Sequence, residues 1–81
     1  MPNISPSDIM AAIEKALAEK PGSLGESSRA EEIASWDSLG QLSVLVALDK
    51  IFTGKIAHIT EMAEADSVPK ILNILRQHAL L

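Results

Sequence analysis

The chain has 81 residues, 47% of them hydrophobic, and a formal net charge of −4 with an isoelectric point near 4.9. This length allows one small domain over residues 1–81 but excludes a substrate cleft with walls on all sides. The acidic charge argues against a nucleic-acid partner, and the absence of cysteine excludes disulfides, a thiolate nucleophile and a cysteine-based metal site.

The first predicted element is a helix that follows residues 5–8, where hydroxyl and carboxylate groups can cap its N-terminus. Apolar residues recur at helical spacing over residues 9–17, and Pro21-Gly22 stops the run. The next segment, residues 20–36, is rich in Pro, Gly and Ser, and we predict a long ordered loop there. Its main apolar residues are Leu24 and Ile33.

The second helix is predicted from Ser38 to about Phe52, before Thr53-Gly54, where glycine can adopt the left-handed conformation that ends a helix. Gly40 is a local weakness near the start of this helix. Position 41 shares a helix face with the residues that we predict to be core, which are Leu45, Leu48 and Phe52, with Val44 and Ile51 beside them.

A second apolar stripe lies roughly a third of a turn away on the same helix and consists of Leu39, Leu42 and Val46. Two interpretations remain open for this stripe. Either both stripes are buried and the helix runs through the centre of the bundle, or the second stripe is exposed and docks a partner.

Two further helices are predicted after the glycine turn. Thr60 can cap a short helix over residues 61–65, and Asp66 or Ser67 can cap the last helix. Pro69 falls in the first turn of that helix, where proline is tolerated. The fold class predicted from these elements is all-α, a four-helix bundle with a short third helix and a long loop between helices 1 and 2.

Ser38, at the start of the second helix, has two interpretations of its own. As an N-cap, its hydroxyl would accept a hydrogen bond from a first-turn amide, while Asp37 would complement the helix dipole. The same amides and the positive end of the dipole also favour a phosphate attached to that hydroxyl.

The sequence around Ser38 resembles the attachment motif of acyl carrier proteins. The resemblance rests on Asp37-Ser38-Leu39 and on the residues that follow, which are Leu42, Val46, Leu48, Asp49 and Phe52. It continues through Ile56, residues 65–68 and residues 71–75. It implies that a separate magnesium-dependent phosphopantetheinyl transferase attaches 4′-phosphopantetheine from coenzyme A to Ser38, and that the domain itself is not an enzyme.

The same resemblance implies roles for other residues. The arm would carry acyl groups as thioesters to acyl-loading and acyl-using enzymes, and Asp37 would help present Ser38 to the transferase. The implied partner contacts are Leu39, Leu42 and Val46. The residues that could line an acyl site, and that are equally plausible as plain core, are Leu45, Leu48, Ile56, Ala65 and Leu72.

Two features depart from the family pattern. Carriers of fatty acid synthesis usually place Glu and Asp along the second helix, whereas this chain has Gln41, Ser43, Lys50 and Ile51. We therefore expect a dedicated partner set in a specialised fatty acid, lipid or polyketide pathway. The turn at residues 52–56 is also altered, since the family more often has glycine directly after the phenylalanine. Separately, residues 35–38 lack the Gly-Gly-x-Ser pattern of peptidyl carriers, which favours an acyl cargo over an amino-acid cargo.

The main alternative is an unmodified docking module with the same fold. An enzyme would need a base for Ser38, and nothing in the sequence places His58 or His78 beside it or gives a metal-ligand spacing. Trp36 is expected to cap the end of the loop in preference to contacting a partner. The amino terminus has no basic stretch followed by an apolar run, and no segment is apolar enough to span a membrane, so we expect a cytoplasmic protein. We also expect a monomer.

Overall fold

The computed structural model describes residues 4–81, so the first three residues of the predicted domain lie outside the described part. The described chain contains three α-helices, which are α1 (Pro6–Ala16), α2 (Ser38–Ile51) and α3 (Val68–Gln77). Three short 3₁₀ helices accompany them, at Ala30–Glu32, Ile56–His58 and Thr60–Glu64. The prediction of an all-α fold is confirmed over residues 4–81, where no strand is formed.

The prediction of a four-helix bundle is not confirmed, because the segment expected to be the short third helix is a 3₁₀ helix at Thr60–Glu64. Its backbone hydrogen bonds join residues three positions apart, as in the 3.1 Å hydrogen bond that Ala65 N donates to Met62 O. Extended backbone at Ile59 and Ala65 limits this segment to five residues, and the Thr60 side chain does not cap it. So short a segment cannot offset the cost of nucleating an α-helix.

α1 begins with a reciprocal capping box. Asp8 N donates to Ser5 Oγ at 3.3 Å, and Ser5 N donates to Asp8 Oδ2 at 2.9 Å. Pro6 occupies the first turn, where its missing N–H costs nothing. The helix ends at Ala16, before the predicted stop at Pro21, and buries Ile9 and Ile13 against the rest of the molecule.

The long loop between α1 and α2 is held by hydrogen bonds at several points. Leu24 N donates to the buried Glu14 Oε2 at 2.9 Å, and Ser35 Oγ donates to Glu19 Oε2 at 2.6 Å. The loop also meets the start of α3, where Ala30 N donates to the Asp66 carbonyl at 2.7 Å. These bonds satisfy loop backbone groups and fix the approach of the chain to α2.

A single aliphatic core joins all of these elements. Of the stripe on α2 that was predicted to be core, Leu48 and Phe52 are buried and Leu45 is half-buried, while Val44 is fully buried. The largest fully buried side chains are Ile9, Ile13, Val44, Leu48, Met62, Val68, Ile71 and Leu75. This core fixes the face of α2 that points inward and therefore the face that is left to solvent.

Candidate functional site

Ser38 is the first residue of α2, and Asp37 is its N-cap. Asp37 Oδ1 accepts a hydrogen bond from Gly40 N at 2.9 Å, and the Asp37 carbonyl accepts one from Gln41 N at 2.8 Å. The interpretation of Ser38 as the N-cap is therefore wrong. A carboxylate accepts the first-turn amide more strongly than a hydroxyl, and it also complements the helix dipole.

The side chain of Ser38 is exposed, and its hydroxyl forms no hydrogen bond within residues 4–81. Because Asp37 performs the capping, the hydroxyl is free to react without any loss of a helix cap. It stands beside the first-turn amides of an α-helix, which favour a negatively charged group such as a phosphate ester. The arrangement supplies an accessible attachment point for such a group.

Gly40 brings the end of the loop close to the start of α2. A Cβ at this position would overlap the Ser35 carbonyl oxygen and would lie 2.9 Å from Leu17 Cδ2. The glycine expected to weaken the helix is thus required by packing, since only its lack of a side chain allows this approach. It places the N-terminal turn of α2, and with it Ser38, against the end of α1.

The side chain of Gln41 links α2 to two other parts of the chain, which are the end of the long loop and residues 62–65. Its Oε1 accepts a hydrogen bond from Trp36 Nε1 at 2.6 Å. Its Nε2 donates to Ala65 O at 3.0 Å and to Met62 O and Ala63 O at 3.3 Å. These hydrogen bonds were not predicted from the sequence. The signal for them was the polar residue on the predicted core face, because an amide that is taken out of water needs hydrogen-bond partners.

Trp36 is buried beneath this connection, as expected for a residue that caps the end of the loop. Its indole ring packs into the core while the ring nitrogen bonds to Gln41. With only 4% of its surface accessible, Trp36 offers little area for direct contact with a partner.

A shallow groove of about 480 Å³ opens beside Ser38. Its walls come from the end of the loop, the first turn of α2 and the segment that follows Met62. Its lining residues are Ala30, Trp36, Asp37, Ser38, Gln41, Ala63, Glu64 and Asp66. Lys70 Nζ lies 2.8 Å from Asp66 Oδ1 and lowers the pKa of that carboxyl by hydrogen bonding and by charge attraction.

The second apolar stripe of α2 is exposed. Leu39, Leu42 and Val46 have relative accessibilities of 76%, 59% and 49%. These are the large hydrophobic side chains that the described structure leaves in solvent, and they follow Ser38 along one helix. An apolar surface of this kind, beside an accessible hydroxyl, is suited to contact with another protein.

The predicted acyl-site residues are divided between the core and a surface groove. Leu48, Ile56, Ala65 and Leu72 are buried in the core, and Leu45 is a partly buried residue packed against that core. Leu45 and Ile56 also line an open groove of about 580 Å³ between α2 and the 3₁₀ helices. The five residues therefore do not form one enclosed cavity.

Neither histidine lines the groove beside Ser38. His58 is exposed, and His78 Nε2 lies 3.1 Å from Glu61 Oε1 at the far end of α3. Among residues 4–81, no three His, Asp or Glu side chains come together in a way that could hold a metal ion. Over the same residues, no helix is both long and apolar enough to cross a lipid bilayer.

Comparisons with models of protein families, with curated proteins and with solved structures give no match to this chain.

Proposed function

We propose that this protein is an acyl carrier, and that Ser38 is the residue to which 4′-phosphopantetheine is attached. The observation that carries the proposal is the exposed, unbonded hydroxyl of Ser38 at the first turn of a helix whose next exposed apolar residues are Leu39, Leu42 and Val46. The first feature suits covalent attachment, and the second suits brief docking to several enzymes. The Asp37-Ser38-Leu39 motif agrees with both.

The residues present fit this cofactor. The hydroxyl of Ser38 is accessible, Asp37 provides the helix cap independently of it, and the first-turn amides can stabilise a phosphodiester. When bound, the cofactor supplies a thiol that holds acyl groups as thioesters, a chemistry that this chain lacks because it has no cysteine. In this proposal, Asp37 and Gly40 fix the helix start so that Ser38 faces the transferase.

The proposed partners are a phosphopantetheinyl transferase and the enzymes that load and use the acyl group. The face of α2 next to Ser38 offers them apolar side chains in place of a row of carboxylates. Association by such a face depends on shape and apolar burial more than on charge steering. We therefore propose a specialised fatty acid, lipid or polyketide pathway, in which the carrier serves a dedicated set of enzymes as a monomer in the cytoplasm.

A second candidate function is an unmodified docking module. The exposed stripe on α2 supports it independently, because Leu39, Leu42 and Val46 can bind a partner whether or not Ser38 carries a group. The two candidates differ in the covalent state of Ser38.

The test is an intact mass measurement after incubation with coenzyme A, Mg²⁺ and a broad-specificity phosphopantetheinyl transferase. We expect the parent protein to gain the mass of one phosphopantetheine and the Ser38→Ala variant to gain none. Ser27→Ala is the matched control, because Ser27 is an exposed serine in the loop and lines neither the groove beside Ser38 nor the grooves next to the exposed stripe of α2, and it should gain as much as the parent. No gain by the folded parent with several transferases would favour the docking module.

A further inference from the structure

A third surface groove runs between α1 and α2 on the side of the exposed stripe. It has a volume of about 550 Å³, and Leu42 and Val46 form part of its wall. Three alanines, Ala12, Ala16 and Ala47, also line it. Small side chains on both helices leave room there for a larger apolar side chain of another molecule.

The charged residues that line this α1–α2 groove are Lys15 and Lys50. Both are exposed, and neither forms an ion pair within residues 4–81. The whole chain has 11 acidic and 7 basic residues, so the two lysines that line this groove have a charge opposite to the net charge of the molecule. A local positive potential beside an apolar surface selects a partner of opposite charge.

We infer that the α1–α2 groove binds an amphipathic segment of a partner protein that places acidic side chains around an apolar anchor. The apolar anchor enters between the alanines and contacts Leu42 and Val46, and the acidic side chains meet Lys15 and Lys50. This inference rests on the proposed function, since it names the kind of partner that docks beside Ser38.

A second copy of the chain fits this groove poorly. In a two-fold dimer the same patch faces itself, so the lysines of one copy would approach those of the other. The unpaired positive charges would then repel across a buried interface. A partner with carboxylates in the matching positions removes this cost.

The test uses two synthetic helical peptides with leucines at three- and four-residue spacing, one with glutamates and the other with lysines beside the leucines. Each is titrated into the ¹⁵N-labelled full chain. We expect the glutamate peptide to bind roughly threefold to tenfold more tightly, against the net charge of −4, and to shift the amide signals of Ala12, Ala16 and Ala47.

Reversing the charge of the two lysines that line the α1–α2 groove tests the inference most directly. The Lys15→Glu/Lys50→Glu double variant should prefer the lysine peptide. The matched control is Lys20→Glu/Lys55→Glu, which changes the net charge equally at two exposed lysines outside this groove and should keep the parent preference. If the double reversal impairs folding, Lys15→Gln/Lys50→Gln should still abolish the preference.

Several outcomes would overturn the inference. They are equal or tighter binding of the lysine peptide, no binding of either peptide at millimolar concentration, a reversed preference in the control variant, and dilution-dependent shifts at these residues that reveal a second copy. The peptide titration does not depend on the modification of Ser38. A mass gain without the peptide preference would therefore sink only this inference, and the preference without a mass gain would sink only the carrier.

Discussion

At the scale of single residues, the side-chain amide of Gln41 takes part in four hydrogen bonds beside Ser38. Its amide accepts from Trp36 Nε1 and donates to carbonyls of Met62, Ala63 and Ala65. A carboxylate has the same shape but cannot donate, so it would place negative charge against carbonyl oxygens. This requirement explains why a glutamine suits position 41 better than a glutamate.

We expect Gln41→Glu to lower the free energy of unfolding by about 1–3 kcal/mol at pH 7. The variant carboxyl is favoured in its protonated form, which retains a donor, so its pKa should rise in the folded state. The stability loss of the variant relative to the parent should therefore be smallest below about pH 4, the usual range of a glutamate, and grow as the pH rises through the folded value. Urea denaturation of parent and variant at several pH values measures both effects.

The control for this prediction is Gln77→Glu, which adds the same charge at an exposed glutamine. It should change stability by no more than about 0.5 kcal/mol, the usual limit for a surface substitution. Equal losses in the two variants would show that net charge, and not the hydrogen bonds of Gln41, determines the result.

Asp66 and Lys70 form an exposed ion pair at the start of α3, beside the Ser38 groove. Lys70 holds the pKa of the Asp66 carboxyl below its usual range through a 2.8 Å hydrogen bond and its positive charge. We expect Lys70→Gln to raise this pKa in a carbonyl ¹³C NMR titration, and Lys55→Gln to leave it unchanged. If the pKa of Asp66 were the same in Lys70→Gln as in the parent, Lys70 could not be the cause of the lowered value.

The same pair gives a pH dependence of known sign. Because the folded pKa of Asp66 is lowered, its contribution to stability is present above the unfolded value of about 3.9 and is lost as the pH falls through the folded value. The difference in stability between the parent and Lys70→Gln should therefore disappear in strong acid. Because the pair is exposed, the effect should be small and should weaken further with added salt.

At the scale of elements, the junction between the long loop and α2 depends on Gly40. Replacing glycine by alanine inside a helix usually stabilises it by about 1 kcal/mol. Here the added methyl group would overlap the Ser35 carbonyl and press on Leu17. We expect Gly40→Ala to destabilise the protein by about 1–3 kcal/mol, opposite in sign to the helix propensity.

Thermal or urea denaturation measures this change, and Gly25→Ala is the matched control. Gly25 lies in the loop, and a Cβ there would come no nearer than 4.0 Å to Ser28 Oγ. The control should stay within about 0.5 kcal/mol of the parent. A stabilised Gly40→Ala variant would show that the loop and helix can separate without cost.

All three α-helices end in the same way, with a residue other than glycine in the left-handed conformation. These residues are Ala18, Thr53 and Ala79, with φ values of 57°, 52° and 56°. Each is followed by an amide that reaches back into the last helical turn, as Gly54 N does to Asp49 O at 2.9 Å. Gly54 is left-handed as predicted, but it comes one residue after the position where helices most often place glycine.

Thr53 should bear the greatest strain of the three, because it is β-branched. We expect Thr53→Gly to raise the free energy of unfolding by about 0.5–1 kcal/mol, since relief of the strained conformation exceeds the added chain entropy. Thr60→Gly is the control, because Thr60 is not left-handed and glycine there should destabilise. Urea denaturation compares the two, and a loss of stability in Thr53→Gly would argue against strain.

At the scale of the whole molecule, local patterns predicted the elements that depend on nearby residues. The start of α2 at Ser38 and the cap of α3 by Ser67 follow from short-range capping chemistry. The prediction placed the cap of α2 one residue too late, because two adjacent residues, Asp37 and Ser38, can both cap a helix. The structure gives that role to Asp37.

Features that depend on distant residues could not be predicted in this way. The carbonyls that Gln41 bonds lie 21 to 24 residues further along the chain, and the oxygen that excludes a side chain at Gly40 belongs to the loop. The 3₁₀ form of Thr60–Glu64 likewise reflects the short span between two extended residues. The exposure of the second stripe was left open for the same reason, since burial is decided by where α1 and α3 pack.

Helix α2 has one buried face and one exposed face, and substitutions on the two faces should have different effects. Leu48 is fully buried, whereas Leu42 keeps 59% of its surface exposed on the same helix. Leu48→Ala should cost about 2–5 kcal/mol of stability because it leaves a cavity. Leu42→Ala should change stability by less than about 0.5 kcal/mol.

For binding, the order of the two variants should be reversed. Leu42→Ala should slow the transfer of phosphopantetheine to Ser38 and weaken the binding of the glutamate peptide. The reason is that Leu42 belongs to the apolar face next to Ser38 and also lines the α1–α2 groove. Leu48→Ala, measured at a temperature where it remains folded, should retain parent-like binding. Urea denaturation, timed mass measurements and peptide titration give the three readouts. If Leu42→Ala lost stability and kept binding, the exposed stripe would belong to the core and another surface would have to meet the partners.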